Sequence, residues 1–417
     1  MNGSDGTWAE GLDPAEELYL WGYPLLAVQR TRRLFCSRSE TGRLNHVDDL
    51  ATPADKGVVA PNNDTLYSSG FYDLRCGDLL VDVPPMDHGA RYWNVMILDA
   101  YTHVAYVCRR HFGTGGTRVR VTFDPDQPPP NDDSALVTIG TPTAWVIVRM
   151  LVESSADLAQ ARALQRAITV TPPADHPVER TTRAGRPTAI AQAGAGFFDE
   201  LAACVRKDPP APWHPTLSDA AQELLANPDA FDEAARSAGV EAGERRLKDL
   251  QGRDAVIRNG WSSGRGATGF EGDAIKRAAG AKFGLGGHQA IENRSYVALA
   301  DALGQKLDGR TPLELKLRAA DLPPCEAFWS LTAYGPDLYL VENEIDRWSL
   351  GVRTEGLERD EHGTLTIVLS AVRPAKDANW LPVPDGPYLL GMRVYEGHPA
   401  VVDCEWFPPA LTRADDA

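Results

Sequence analysis

The chain is expected to be a mainly β protein with a helical insert, two jelly-roll-like antiparallel β-sandwich units joined by an α-helical connector. Three observations carry this. Between Val58 and Val152, short runs such as DLLVDVP, TRVRVTF, SALVTIG and AWVIVRMLV are rich in β-branched and aromatic residues and are broken by Gly, Pro, Asn and Asp, the pattern of antiparallel strands rather than βαβ units. From Asp157 to about Arg310 the chain becomes Ala-rich with helical apolar spacing. Strand-like alternation then returns in EAFWSLTAYGPDLYLVENEIDRWSLG, GTLTIVLS, YLLGMRVYEG and AVVDCEWFPP. The expected units span residues 13–152, 153–312 and 313–412.

The first element is a capped helix over DPAEELYLWGYPLLAVQRTRRLF. Asp13 suits the N-cap and Pro14 the first helical position, while acids early and Arg30, Arg32 and Arg33 late complement the dipole. Next comes VVAPNNDTLYSSGFYDL, where Asn62, Asn63 and Asp64 offer turn chemistry ahead of a strand. In RYWNVMILDAYTHV, alternation puts Tyr92, Asn94, Met96 and Leu98 on one face and Arg91, Trp93, Val95, Ile97 and Asp99 on the other, with Tyr101 and His103 continuing the second parity. The connector helices DLAQARALQRAI, LSDAAQELLANP and EGDAIKRAAGAKFGL are short and amphipathic, and are expected to pack outside both sandwiches. The Pro-rich TPPADHPVERTTRAGRP reads as a surface loop. In LGGHQ, His288 follows a helix end, where an imidazole is expected to be a satisfied capping or packing residue. In YLVENEIDRWSLG, strand parity would align Glu342, Glu344 and Asp346, and Arg393 and Tyr395 share a parity further on.

The 417 residues carry 42 basic and 58 acidic side chains, a net charge of −16. Such a surface repels phosphate backbones and anionic headgroups, so neither nucleic acid nor a membrane is an expected partner. A small-molecule substrate is expected, and a homo-oligomer is compatible. The six cysteines are scattered without a CxxC, which suggests free thiols in a reducing compartment. No run approaches a membrane span, and the N-terminus lacks a basic region followed by an apolar one, so a cytoplasmic location is expected.

Standard catalytic signatures are missing. The glycines of Gly264 to Asp273 lack the GK[ST] of a phosphate loop, and GxSxG, HExxH and EF-hand patterns are absent. No histidine pair has metal-ligand spacing, so neither metal nor cofactor is expected. What remains are polar–aromatic constellations. Asp64, Asp99, His103 and Tyr67 are the catalytic candidates, because a partly buried carboxylate–imidazole set has tunable pKa values. Asn62, Asn63, Tyr101, Asn379, Arg393 and Tyr395 would orient a substrate, and Trp93, Trp329 and Trp380 would stack on it.

These motifs resemble a known family. VVAPNNDTLYSSGFYDL with VDVPPMDHGARYWNVMILDAYTHV is similar to domain of unknown function 1254. AFWSLTAYGPDLYLVENEIDRWSLG, HGTLTIVLS and DANWLPVPDGPYLLGMRVYEG resemble domain of unknown function 1214, and AIKRAAGAKFGLGGHQAIENRSYVALADALGQKLDG is similar to the connector that joins the two. The resemblance implies two jelly-roll-like sandwiches linked by helices and implies no reaction. The functional expectation is a cofactor-independent enzyme acting on a small polar or glycosylated metabolite by general acid–base chemistry, as a lyase, isomerase or hydrolase. The alternative is a non-catalytic carbohydrate- or protein-binding module. Because neither β unit alone supplies both carboxylates and positioning groups, Asp64, Tyr67 and Asp99 are expected to meet Trp380, Arg393 and Tyr395 across a shared cleft.

Overall fold

The computed structural model describes residues 11–86, 91–181, 189–264, 272–376 and 379–414. Most of the Gly264–Asp273 glycine segment, and part of the Pro-rich loop, lie outside the described residues. Two sheet-rich halves flank a group of helices.

In the first half, a five-stranded sheet runs in the order Asn45–Val47, Thr65–Asp73, Thr143–Leu151, Trp93–Asp99, Val104–Cys108, with every neighbour antiparallel. It packs on a four-stranded sheet of Ala135–Thr138, Thr117–Thr122, Leu79–Val83 and Thr169–Thr171. Leu66, Trp93, Val95, Ile97, Val146, Val148 and Met150 point into the core between them. Alternation therefore gives the faces of this strand correctly, since Trp93, Val95 and Ile97 do share a side.

In the second half, a six-stranded sheet runs Ala255–Arg258, Trp261–Gly264, Asn293–Ala298, Leu389–Gly397, Cys325–Tyr334, Ser349–Gly351. Its partner sheet contains Trp380–Pro382, Leu365–Ser370, Leu313–Leu317 and Thr412–Arg413. Trp261, Tyr296, Trp329, Leu331, Ile367, Met392 and Val394 build the core between these sheets. Three strands of this half, like Thr169–Thr171 of the first, lie in the stretch read from sequence as helical connector, and each half contains one parallel strand pair. YLVENEIDRWSLG is a loop up to Trp348, so the Glu342–Asp346 parity does not hold. Asn343 organises that loop, its side chain accepting from Arg347 N at 3.0 Å and donating to Arg347 O at 3.1 Å.

The helix Pro14–Cys36 begins as the sequence indicates: the Asp13 carboxylate accepts from Ala15 N at 2.9 Å, and Pro14 is its first residue. It is not amphipathic in its first two-thirds, since every residue from Ala15 to Gln29 is buried. A helix apolar all round must be enclosed, and Gly196–Lys207, Asp219–Ala226, Glu233–Leu250 and Ala274–Gly284 surround it with a core of their own. The connector helices thus gather around the N-terminal helix, which then presses Val28 onto the five-stranded sheet. Among the described residues no helix is long and apolar enough to cross a membrane, and the cysteines are free.

Candidate functional site

The outer face of the five-stranded sheet carries Tyr67, Arg149, Asn94 and Cys108 in one cross-strand row. The facing side of the six-stranded sheet carries Asn293, Tyr395 and Phe328 in one row, with Ser295, Arg393 and Ser330 in another. Period-two alternation in FWSLTAY sends Phe328, Ser330, Thr332 and Tyr334 to this face while Trp329, Leu331 and Ala333 enter the core. The two faces meet in a polar layer.

The PNND segment is the joint. Asn62 Oδ1 accepts from Asp64 N at 2.6 Å and Thr65 N at 3.2 Å, which fixes the turn, while its Nδ2 donates to the Tyr395 hydroxyl in the other half. Asp64 is fully buried; Ser330 Oγ donates to it at 2.6 Å and Arg353 forms an ion pair with it. Arg393 donates to Ala60 O at 2.8 Å and to the Tyr334 hydroxyl at 2.7 Å, and Tyr334 donates to Pro61 O at 2.9 Å. Asn63 ties back to Ala51 O.

Behind this joint, Tyr395 stacks on Phe328 with ring centroids 4.2 Å apart and meets Tyr92 edge-on at 5.1 Å. Glu292, also fully buried, accepts from Tyr92 at 3.2 Å, Asn94 at 2.8 Å, Cys108 at 3.4 Å and Arg110 Nε at 2.8 Å. Burial, with Glu292 beside it, pushes the Cys108 thiol up to about 12, so the sulfur stays protonated. Burial also raises the Tyr92 and Tyr395 phenols far above their usual range, keeping both as donors.

The loop after the helix Ala274–Gly284 closes the layer. Gly286 has φ +76° and lies so near the sheet that a Cβ there would approach the Trp145 ring to 3.1 Å, so the tight approach needs glycine. Its carbonyl accepts from Arg149 Nη2 at 2.6 Å, and the Arg149 guanidinium lies 5.2 Å from the Tyr67 ring centroid. His288 stands 6.0 Å from the Tyr106 ring and 6.2 Å from that of Tyr395. Both its ring nitrogens are shielded from solvent and have no hydrogen-bond partner, so of the expected capping or packing role only the packing, against the Tyr106 and Tyr395 rings, is seen. Burial, reinforced by the Arg149 charge, holds this imidazole well below the usual histidine range, in its neutral form. Tyr67, Asn62 and His288 keep partial solvent access.

Of the candidates named from sequence, Asn62, Asp64, Tyr67, Arg393 and Tyr395 come together here, and Asn63 lies at the edge. The others do not. Asp99 ends the seven-residue strand Trp93–Asp99, whose length places it about 20 Å from the Asp64 end of the sheet. The strand stops there, and Asp99 Oδ1 accepts from Tyr101 N and His103 N at 2.8 Å each. Their common parity is therefore that of a turn around one carboxylate, not of a strand face. Tyr101 donates to Asp208 O at 3.0 Å beneath the helices. Trp93 and Trp329 are core residues, with the Trp93 indole donating to Gly113 O. Trp380 is buried and donates to Ser370 O at 3.0 Å, and Asn379 clamps the backbone of Glu358. The aromatic rings that do gather at the layer are those of Tyr92, Phe328 and Tyr395.

Arg149, Glu292, Ser330 and Arg353 escaped the sequence reading, and Tyr92, Asn94 and His288, though placed by it, were not named as site candidates. One signal was present, the single charge of Arg149 within the apolar run AWVIVRMLV. A lone guanidinium on a strand buried on both sides must have a reason. Among the described residues, no group of three or more His, Cys, Asp or Glu side chains is placed to hold a metal ion.

Fold and layer together define a two-sandwich protein with a polar seam between its halves. Residues 41–172 match the family described as a protein of unknown function (DUF1254), and residues 292–399 match the one described as DUF1214. The chain belongs to the family that carries these two domains in tandem. The crystal structure of the VPA0106 protein from Vibrio parahaemolyticus is similar, with 22% identity, a TM-score of 0.74, and coverage of 97% of this chain and 99% of that one. At that identity the likeness shows the fold alone. An uncharacterized protein from Burkholderia cenocepacia aligns over 96% of this chain and 95% of its own at 14% identity and a TM-score of 0.45. A search of curated proteins finds no match.

Proposed function

We propose that the chain is an enzyme acting on a small polar metabolite by general acid–base chemistry, without a resident cofactor, in the layer between its two sandwiches. His288 is the base, the phenols of Tyr67 and Tyr395 donate, and Arg149 steadies developing negative charge. The observation that carries this reading is His288 itself. A buried imidazole normally finds a partner for at least one nitrogen, and this neutral ring leaves both available beside a guanidinium and three phenols. A neutral imidazole with a free nitrogen is the form a general base requires. The reaction class is a lyase, isomerase or hydrolase, each of which begins with the proton transfer these groups can supply. Asp64, engaged by Arg353 and Ser330, braces the seam and leaves proton transfer to His288.

The test is conversion of a metabolite extract followed by mass spectrometry. The wild-type protein should deplete at least one small polar compound. His288→Gln should lower that rate by about a hundredfold or more while leaving binding of the depleted compound within about tenfold. A compound bound but never converted by the wild type would make this a binding module instead, and equal rates in the two proteins would remove His288 from the chemistry.

A further inference from the structure

The polar layer holds four guanidinium groups, of Arg110, Arg149, Arg353 and Arg393, against two fully buried carboxylates, Asp64 and Glu292. Arg353 pairs with Asp64 and Arg110 with Glu292. Arg393 leans on the Tyr334 hydroxyl and Ala60 O. Arg149 shares with Arg393 the lack of a carboxylate partner, and it is the one beside His288. It is 5% exposed, and among the described residues it forms no ion pair. Its partners are all neutral: Gly286 O on one terminal nitrogen, the thioether of Met96 at 3.4 Å on the other, and the Tyr67 hydroxyl beside them. A thioether is a weak acceptor, and a guanidinium has five donors to satisfy.

A buried cation without a counter-charge costs several kcal/mol, which proteins normally avoid by pairing it. Around this cation further valences are open. Both His288 nitrogens are shielded from solvent and lack partners, and one of them carries the N–H of the neutral ring. Excess positive charge and unfilled hydrogen-bonding capacity therefore coincide in one place, in a chain whose overall charge is −16. An anion would complement the charge and accept from the one N–H of the neutral imidazole.

We propose that Arg149 anchors a carboxylate of the small-molecule ligand, whose adjoining atoms lie against His288 and the Tyr67 and Tyr395 phenols. The proposal rests on the reading of the inter-sandwich layer as a ligand site and adds the chemical class of the ligand. A planar carboxylate matches the two-pronged guanidinium. A phosphate dianion would call for more positive charge than this corner offers, since Arg110 and Arg353 are neutralised by Glu292 and Asp64 and Arg393 is tied to the Tyr334 hydroxyl and Ala60 O.

Thermal-shift assays and calorimetry with acetate, lactate, succinate and benzoate test this, with acetamide, lactamide, succinamide, benzamide and inorganic phosphate as controls. At least one carboxylate should bind the full-length protein about tenfold or more tightly than its amide, and Arg149→Gln should lose about tenfold or more of that affinity. The proposal is overturned if no carboxylate binds, if amides bind equally, if phosphate binds better than every carboxylate, or if R149Q binds like wild type. The carboxylate–amide comparison uses only the wild-type protein and decides the matter where R149Q does not fold. Carboxylate binding with no conversion of any compound would remove the enzyme reading and leave this one standing. Conversion of neutral compounds alone, unaffected by R149Q, would do the reverse.

Discussion

Asp64 illustrates at the residue scale how a turn residue becomes part of an interface. Its carboxylate is sealed from solvent and neutralises Arg353 across the seam. Asp64→Asn keeps the shape and strands the guanidinium, and breaking one partner of a buried pair costs about 3–5 kcal/mol. Urea unfolding should show a loss of that size, whereas a loss under about 1 kcal/mol would mean that water reaches Arg353 freely. His288 gives a second expectation. Because burial, aided by Arg149, depresses its pKa, the base stays neutral below the ordinary histidine value of about 6.5. The acid limb of kcat/KM for any compound the protein converts should therefore fall well below pH 6.5, and an inflection at about pH 6.5 would contradict the assignment. Asn62 and Asp64 were legible as a turn, yet that Asn62 reaches Tyr395, 333 positions away, was beyond any local rule.

Among the elements, the helix Pro14–Cys36 shows how two glycines admit a close neighbour. A Cβ on Gly239 would sit 2.4 Å from Ala15 Cβ and 2.7 Å from the Ala15 carbonyl carbon, and one on Gly243 would sit 2.3 Å from Tyr19 Cδ1. Alanine gains about 1 kcal/mol of helix propensity over glycine, but overpacking costs about 1–3 kcal/mol. At Gly239 the obstacle is backbone, which no rotamer change relieves, so the clash should win. Gly239→Ala is expected to destabilise the protein by about 1–2 kcal/mol, read from thermal or urea unfolding, and a stabilised variant would show that the helices slide apart without cost. Sequence located this first helix and its cap because both depend on neighbouring residues. It gave no sign that the connector helices would wrap the N-terminal helix, since their apolar stripes name no partner.

On the scale of the whole molecule, the buried titratable groups set the response to acid. Burial, with Arg277 and His103 nearby, lowers the His214 imidazole to about 3. Such a group takes up its proton in the unfolded chain from about pH 6.5 downward but not in the folded one, so its stabilising share is intact above that value and lost as pH falls, at about 1.4 kcal/mol per unit. His288 acts in the same direction. Asp99 opposes them, because burial raises it to about 6 despite the amides of His103 and Tyr101 and the charge of Arg277. It binds its proton more readily folded than unfolded and adds stability as pH falls from about 6 toward 4. Burial raises Asp208 as well, with the same sign. His214→Gln removes one acid-labile term, so the slope of unfolding free energy between pH 6 and 4.5 should drop by about 1.4 kcal/mol per unit. An unchanged slope would show that His214 is protonated in the folded protein.

The sequence by itself determined the class of this protein. Alternation, turn residues and capping are local properties, and they sufficed for two β-rich halves, a helical insert and membership in the tandem family. They also gave the correct sidedness of Trp93 against Asn94 and of Arg393 with Tyr395. Which side met solvent, core or the other half was decided only in three dimensions. Tyr92 and Asn94 line the polar layer and Trp93 the core because a second sheet covers one face and Glu292 with Tyr395 covers the other. A residue's parity is written in its neighbours. What covers that parity comes from elements hundreds of positions away, and the carboxylate, guanidinium and imidazole acquire their chemistry only when that cover removes water from around them.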